Sequence, residues 1–126
     1  MPKQVPNVPN GPEPLGPYSI ATEAAGLVFV SGQVALDPAD GTRVEGGVRE
    51  QTTRVMDNIG AVLGDLGLGY DDIVKTTILL ADIADFPVVN EVYGGYFEGR
   101  PPARSTFEAG ALPGGFQVEI EVIAAR

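Results

Sequence analysis

The stretch that decides the fold is QVEIEVIA, residues 117–124, close to the end of the chain. Along it, Val118, Ile120 and Val122 alternate with polar residues that include Glu119 and Glu121. Because successive side chains of a β-strand point to opposite faces, this pattern predicts a strand with one apolar and one polar face. The apolar face belongs in a core, and the polar face lies against water or another protein surface.

Outward from this strand, the pattern predicts four further strands and two helices. Apolar residues recur at three- and four-residue steps over residues 48–66, which predicts an amphipathic helix that ends at Gly67. Asp85 is expected to cap a second helix, with Pro87 in its first turn and its end near Gly99. The predicted strands are 18–23, 27–33, 73–81, 103–108 and 117–124. This order predicts an α+β domain in which both helices pack on one face of a mixed sheet.

The strand at residues 73–81 differs from the last one, because IVKTTILLA is apolar on both faces apart from Lys75. A sheet face that is partly apolar and partly polar is typical of a subunit interface. The sequence therefore predicts that this chain forms an oligomer.

Length and composition set the class of protein. A chain of 126 residues with 44% apolar residues supports a single domain, residues 1–126. Six prolines among the first 17 residues predict an extended arm over residues 1–14. No apolar run is long enough to span a bilayer or to act as a signal peptide, so we expect a cytoplasmic protein without a membrane partner.

Charge and missing residue types exclude several functions. The chain has no cysteine and no histidine, which excludes disulfides, thiolate nucleophiles and the usual zinc ligands. A net charge of −9 repels phosphate backbones and argues against a nucleic acid partner. Any chemistry must use arginine, acidic, tyrosine or hydroxyl side chains, or the backbone.

Arg104 stands out among the arginines because it lies inside a predicted strand. Strand alternation puts it on one face with Thr106 and Glu108. The residues alone leave two interpretations open. Arg104 either forms a cross-strand ion pair with Glu119 or Glu121, or it receives the carboxylate of a small α-keto or α-imino acid, which fits the guanidinium fork.

The run PARSTFEAGALPGGFQVEI, from Pro102 to Ile120, resembles the C-terminal signature of the RidA/YjgF family of reactive-intermediate (enamine/imine) deaminases. Shorter matches precede it in the order of the family, from about residue 12 onward. They are GPYS at 16–19, VSGQ at 30–33, a DPxxG pattern at 37–41, DNI at 57–59, VKTT at 74–77 and FPVVNEVY at 86–93. Together they make the resemblance specific for the family.

The resemblance implies a chorismate-mutase-like (RidA-like) α+β fold assembled as a homotrimer, with clefts between subunits. It implies hydrolysis of 2-iminobutanoate and 2-iminopropanoate to 2-oxo acids and ammonia, with no metal and no organic cofactor. By the same resemblance, Arg104 would bind the substrate carboxylate, and Glu119 would hold or polarise the attacking water. Because of Arg104 and the substrate cation, Glu119 should stay ionised. The implied pocket residues are Tyr18, Ser31, Gly32, Asn90 and Thr106.

Thr106 departs from the family, whose members often carry cysteine there, and its branched side chain could reshape the pocket. Each site residue also has a purely structural interpretation. Glu119 could be a solvated strand residue, Tyr18 a half-buried one, Ser31 part of a bulge and Asn90 a helix-surface residue.

Two functions other than imine hydrolysis also stay open at this level. One is a trimeric module that binds small carboxylates without turnover. The other is RNA cleavage or inhibition of translation, against which the acidic charge and the missing histidines argue.

Overall fold

In the computed structural model, which describes residues 2–126, five strands form one mixed sheet. The strands lie in the order β1-β2-β5-β3-β4; β3 and β4 run parallel, and the other neighbours are antiparallel. Their bounds are β1 Ala21–Ala24, β2 Leu27–Gln33, β3 Ile73–Leu80, β4 Ala103–Glu108 and β5 Val118–Ala125. The QVEIEVIA stretch is thus the central strand, β5.

Two α-helices, α1 (Val48–Asp65) and α2 (Phe86–Gly94), lie on one face of this sheet. Helix α1 packs on β2 and β5 and against α2. Its apolar stripe, with Val55, Ile59 and Val62 fully buried, shares one core with the inward face of β5. The predicted α+β architecture, with both helices on one face of a mixed sheet, is therefore confirmed.

Two predicted element boundaries are wrong, and a third prediction is correct in position only. Strand β1 begins at Ala21 and not at Tyr18, because Tyr18 N–H donates to the Gly16 carbonyl and this tight turn keeps the segment off the ladder. Helix α2 ends at Gly94, before a second glycine, and not near Gly99. Asp85 occupies the predicted N-cap position of α2, with Pro87 in the first turn, although its side chain accepts no helical N–H bond; Asp82 caps the short 3₁₀ helix before it by accepting a 2.9 Å bond from Ala84 N–H.

The strand register fixes which side chains share a face. Arg104 pairs with Thr76, which is fully buried under the helices, so Arg104 lies on the helix side of the sheet. Glu119 pairs with Leu79 on the opposite, helix-free side. The predicted alternation along both strands is correct. The two residues most implicated by sequence therefore lie on opposite faces.

The helix-free face mixes apolar and polar groups, as the sequence predicts for an interface. Phe107 is 50% exposed and Phe29 is 41% exposed on this face. Leu79 and Ile123 lie between them with Lys75, Thr77 and the two glutamates of β5.

The proline-rich arm follows the body of the protein without regular structure. Gln4 exchanges two 2.9 Å backbone hydrogen bonds with Glu23 of β1, and Asn10 bonds to the Asp65 carboxylate. Residue 1 of the predicted arm lies outside the described residues. Within residues 2–126, neither helix combines the length and apolarity needed to cross a membrane.

Candidate active site

A cavity of about 480 Å³ opens on the helix-free face, where β2 ends beside β5. Four of the residues implied by the family resemblance line it: Tyr18, Ser31, Gly32 and Glu119. The remaining wall is mostly apolar and consists of Leu15, Val34, Pro113, Gly114, Phe116 and Glu121. We call Tyr18, Ser31, Gly32 and Glu119 the glutamate pocket.

A β-bulge at Ser31 and Gly32 shapes the floor of the glutamate pocket. Between Val30 and Gln33, β2 holds one residue more than the facing segment of β5. Ser31 donates its hydroxyl to the Ser19 carbonyl at 2.6 Å, which anchors the bulge and leaves the Ser31 oxygen as an acceptor. The structural interpretation of Ser31 as a bulge residue is thus correct, and the bulge also turns this segment into the cavity.

Gly32 makes room for the glutamate. A Cβ atom at Gly32 would lie 2.1 Å from Glu119 Oε2, closer than any real contact allows. The backbone of Gly32 does not adopt a positive φ, so the need for glycine here comes from space and not from the backbone. The missing side chain therefore lets the Glu119 carboxylate rest on the bulge.

The electrostatic surroundings of Glu119 within one chain differ from the expectation that a nearby Arg104 keeps it ionised. Burial raises the pKa of Glu119 above its ordinary value, and the neighbouring Glu121 carboxylate raises it further. Arg104 does not oppose this shift within one chain, because it lies on the other face of the sheet. A carboxylate with a raised pKa is a better proton acceptor than an ordinary one once it is ionised.

The rim of the pocket is held by two aromatic residues. Tyr18 is 45% exposed, and its hydroxyl accepts a 3.2 Å bond from Leu15 N–H, so its own proton is available to a ligand. On the opposite side, the Arg43 guanidinium lies 4.0 Å from the centroid of the Phe116 ring and donates to the Gly114 carbonyl. These contacts tie the loop before β5 to the segment after β2.

The other three predicted site residues, Asn90, Arg104 and Thr106, gather on the helix side of β4, and we call them the arginine edge. Arg104 is half-buried, and its guanidinium carbon lies 5.5 Å from the ring centroid of Phe86 and 5.2 Å from that of Tyr93.

The ion-pair interpretation of Arg104 is wrong within the chain. The two ion pairs among residues 2–126 are Arg49–Glu91 and Arg126–Glu23. A pair with Glu119 or Glu121 is geometrically excluded, because β3 lies between β4 and β5 and the side chains point to opposite faces. The guanidinium is thus left for another acceptor.

Two further polar atoms at the arginine edge lack a partner. The Asn90 amide oxygen and the Thr106 hydroxyl oxygen are buried and accept no hydrogen bond from residues 2–126. Buried polar groups are rarely left unpaired in native proteins, so each calls for a water, a ligand or another chain. Because the amide oxygen of Asn90 is buried, the surface interpretation of Asn90 is wrong.

The aromatic residues that surround the glutamate pocket and the arginine edge were not identified from the sequence. Phe86 and Tyr93 were visible as apolar positions of α2, at a seven-residue spacing that puts them on one helix face with Asn90. Phe116 and Arg43 carry no local signal, because 73 residues separate them and only the fold brings them together. Among residues 2–126, no three acidic side chains lie close enough to hold a metal ion.

Comparison with known proteins identifies the family. The family model described as endoribonuclease L-PSP matches residues 8–126. A solved structure of the conserved Rid protein family, YyfA from Yersinia pestis, is 45% identical with a TM-score of 0.94, and covers 99% of this chain and 100% of its own. The chain belongs to the RidA family.

Two other members of the RidA family carry names that bear on activity. The 2-iminobutanoate/2-iminopropanoate deaminase of Mus musculus is 44% identical over 124 residues, which are 98% of this chain and 92% of the relative. TdcF of E. coli, solved with bound serine, is 32% identical with a TM-score of 0.91 over 98% of both chains. At the level of the family, the prediction of a deaminase-type enzyme is confirmed.

Proposed function

We propose that this protein hydrolyses small 2-imino acids, such as 2-iminobutanoate and 2-iminopropanoate, to 2-oxo acids and ammonia. The observation that carries the proposal is that two charged side chains, Glu119 and Arg104, have no partner of opposite charge among residues 2–126. Within residues 2–126, Glu119 lies in a cavity with no cation paired to it, and Arg104 lies on the opposite face with no carboxylate paired to it. A small imino acid supplies a group for each of them, a carboxylate for the guanidinium and a cationic imine for the glutamate.

One chain cannot bring both charges to the same substrate, so the proposal includes assembly. The arginine edge of one copy would meet the glutamate pocket of the next. Such a contact joins two different surfaces, and contacts of this type close into rings. We propose a homotrimer with three sites between subunits, in agreement with the partly apolar helix-free face that includes Phe29 and Phe107.

The chemistry needs little more than orientation. Arg104 of one copy holds the carboxylate in bidentate fashion, which fixes the imine carbon over the glutamate pocket of its neighbour. Glu119 accepts a proton from a water molecule as the water oxygen bonds to the imine carbon. Glu119 returns that proton to the nitrogen of the resulting amino alcohol. The C–N bond then breaks as Glu119 takes the hydroxyl proton, so that the 2-oxo acid forms and ammonia leaves, and this last proton passes to the ammonia as ammonium.

The assembled site also accounts for the charge state of Glu119. Burial and Glu121 raise its pKa within one chain. An arginine from the neighbouring copy, together with the substrate cation, opposes this shift because opposite charges favour the ionised form. Glu119 would then be ionised when substrate is bound and ready to accept a proton.

Relatives support the chemical class. The mouse relative is named as a deaminase of the two imino acids proposed here. E. coli TdcF is solved with serine, an amino acid with the same α-carboxylate that Arg104 is proposed to bind. The cytoplasmic location and the absence of a nucleic acid partner remain predictions from composition.

The test is the rate of 2-iminobutanoate loss. A threonine dehydratase generates the imine, and semicarbazide traps what remains. Wild type should accelerate the loss, and Arg104→Ala should lower kcat/KM about 100-fold, because about 3 kcal/mol of charge-assisted bonding is removed. Arg100→Ala, the same charge change at an exposed position outside the site, should retain activity.

Two outcomes favour the other functions. Binding of 2-oxobutanoate by wild type without faster imine loss would indicate a carboxylate-binding module. Cleavage of RNA by the pure protein would support the activity that the family description names.

A further inference from the structure

We propose that Phe86 and Tyr93 are positioning residues, which hold the Arg104 guanidinium in the orientation that receives a substrate carboxylate. The inference rests on the proposed function and adds to it a platform of two aromatic rings. The carboxylate clamp would then consist of β4 and helix α2 together, and not of one arginine alone.

The spacing along α2 puts both rings against Arg104. Phe86 is the first residue of the helix, Asn90 follows one turn later, and Tyr93 follows after another turn. Residues at these steps share one helix face. The Arg104 guanidinium carbon lies over both rings, at 5.5 Å from Phe86 and 5.2 Å from Tyr93. Both distances fall within about 6 Å, the range of cation–π attraction.

Tyr93 is fixed more firmly than an ordinary aromatic neighbour. It is 4% exposed, and its hydroxyl lies 2.8 Å from the hydroxyl of Thr76, which is fully buried on β3. Thr76 is also the register partner of Arg104. Burial raises the pKa of Tyr93, so its hydroxyl keeps its proton and the bond to Thr76 near neutral pH. The platform is thus anchored to the strand beside β4.

A free arginine at this position needs such support. Strand β4 lies at the edge of the sheet, and no carboxylate of residues 2–126 pairs with Arg104. A long side chain without a partner samples many rotamers and loses that freedom on binding. The rings attract the guanidinium without taking up its N–H donors, so the group is held in place before the substrate arrives.

The test measures binding of 2-oxobutanoate, the reaction product, by calorimetry, together with kcat and KM for 2-iminobutanoate. Phe86→Leu and Tyr93→Leu should each weaken 2-oxobutanoate binding and raise KM by about 3- to 10-fold, because one cation–π contact is lost. The value of kcat should change less than KM, because the platform acts on carboxylate binding and not on the water. Tyr93→Phe keeps the ring but loses the hydroxyl bond to Thr76, so it should weaken binding less than Tyr93→Leu does.

Tyr96→Leu is the matched structural control. Tyr96 is a partly buried tyrosine that contacts Tyr70 and bonds to Asp57, whereas the rings that Arg104 lies over are those of Phe86 and Tyr93. If Tyr96→Leu weakens binding as much as Tyr93→Leu, the effect is general loosening and the inference is wrong. If Tyr93→Leu does not fold, the half-buried Phe86→Leu decides the question alone.

The two proposals fail in different ways. Wild type that binds 2-oxobutanoate through Arg104 but does not accelerate imine loss overturns the enzyme and leaves the platform testable by binding. Binding that is unchanged in both leucine variants overturns the platform and leaves the enzyme. Wild type that does not bind 2-oxobutanoate overturns the platform.

Discussion

Two inactive variants should restore activity to each other when their subunits assemble together. The variants are Arg104→Ala, which damages the arginine edge, and Glu119→Gln, which damages the glutamate pocket. Within one chain these residues lie on opposite faces of the sheet, with β3 between their strands. Each complete site therefore needs an arginine from one copy and a glutamate from its neighbour.

The expected recovery follows from counting sites in randomly mixed rings. With equal amounts of the two variants, half of the arginine edges and half of the glutamate pockets are intact. A site is complete when both halves are intact, so about one quarter of all sites should be active. If one chain held the whole site, every chain would be damaged and no mixture would recover activity.

The assay unfolds the two variants together, refolds them, isolates the trimer by size exclusion and measures loss of 2-iminobutanoate. Each variant refolded alone sets the background, and mixing without unfolding controls for slow subunit exchange. A second mixture, of wild type with the double variant, should keep about one quarter of the sites, against about half if sites lay within one chain. Recovery no greater than the background would refute the division of the site between two faces.

Three other predictions concern single residues. Gly32→Ala should lower kcat/KM at least tenfold with little loss of stability, because its Cβ displaces only the flexible end of Glu119. The imine assay checks the activity and thermal unfolding checks the stability. Full activity would contradict the contact between position 32 and Glu119. Glu119 must be ionised to accept a proton, so activity should fall as the pH decreases through its pKa, which burial and then Glu121 raise and a neighbouring Arg104 would lower. Glu121→Gln should move this fall to lower pH in a kcat/KM profile, and a shift to higher pH would contradict the assigned repulsion. Asn58→Ala should lower the free energy of unfolding by about 2 kcal/mol in urea titration. The buried Asn58 amide donates to the Leu36 carbonyl, and this carbonyl loses its donor in the variant. An unchanged free energy of unfolding would mean that water replaces the amide.

Much of the fold could be predicted from local pattern. The alternation along β5 gives its two faces, and the stripe of α1 gives its buried side, because both periods follow directly from backbone geometry. Boundaries were less predictable, because they depend on single hydrogen bonds. The turn at Gly16 that delays β1 is decided by such a bond.

The sequence supplied the candidate site residues, whose roles stay predictions, but not their arrangement. The family resemblance supplied all seven residues, and the structure brings four of them to one cavity and three to the opposite face. Alternation alone places Arg104 and Glu119 on defined faces of their own strands. It does not say how those faces are related, because the parallel pairing of β4 with β3 is set by the path of α2 and not by either strand.

The separation of Arg104 from Glu119 also links turnover to the amount of protein. On the proposed assembly, a dissociated chain holds two half-sites and no complete one. Dilution below the concentration at which the ring holds together should then lower the activity per milligram, and substrate should partly restore it by bridging two chains. An enzyme of this design responds to its own abundance, so a cell that makes twice as much gains more than twice the capacity near that threshold.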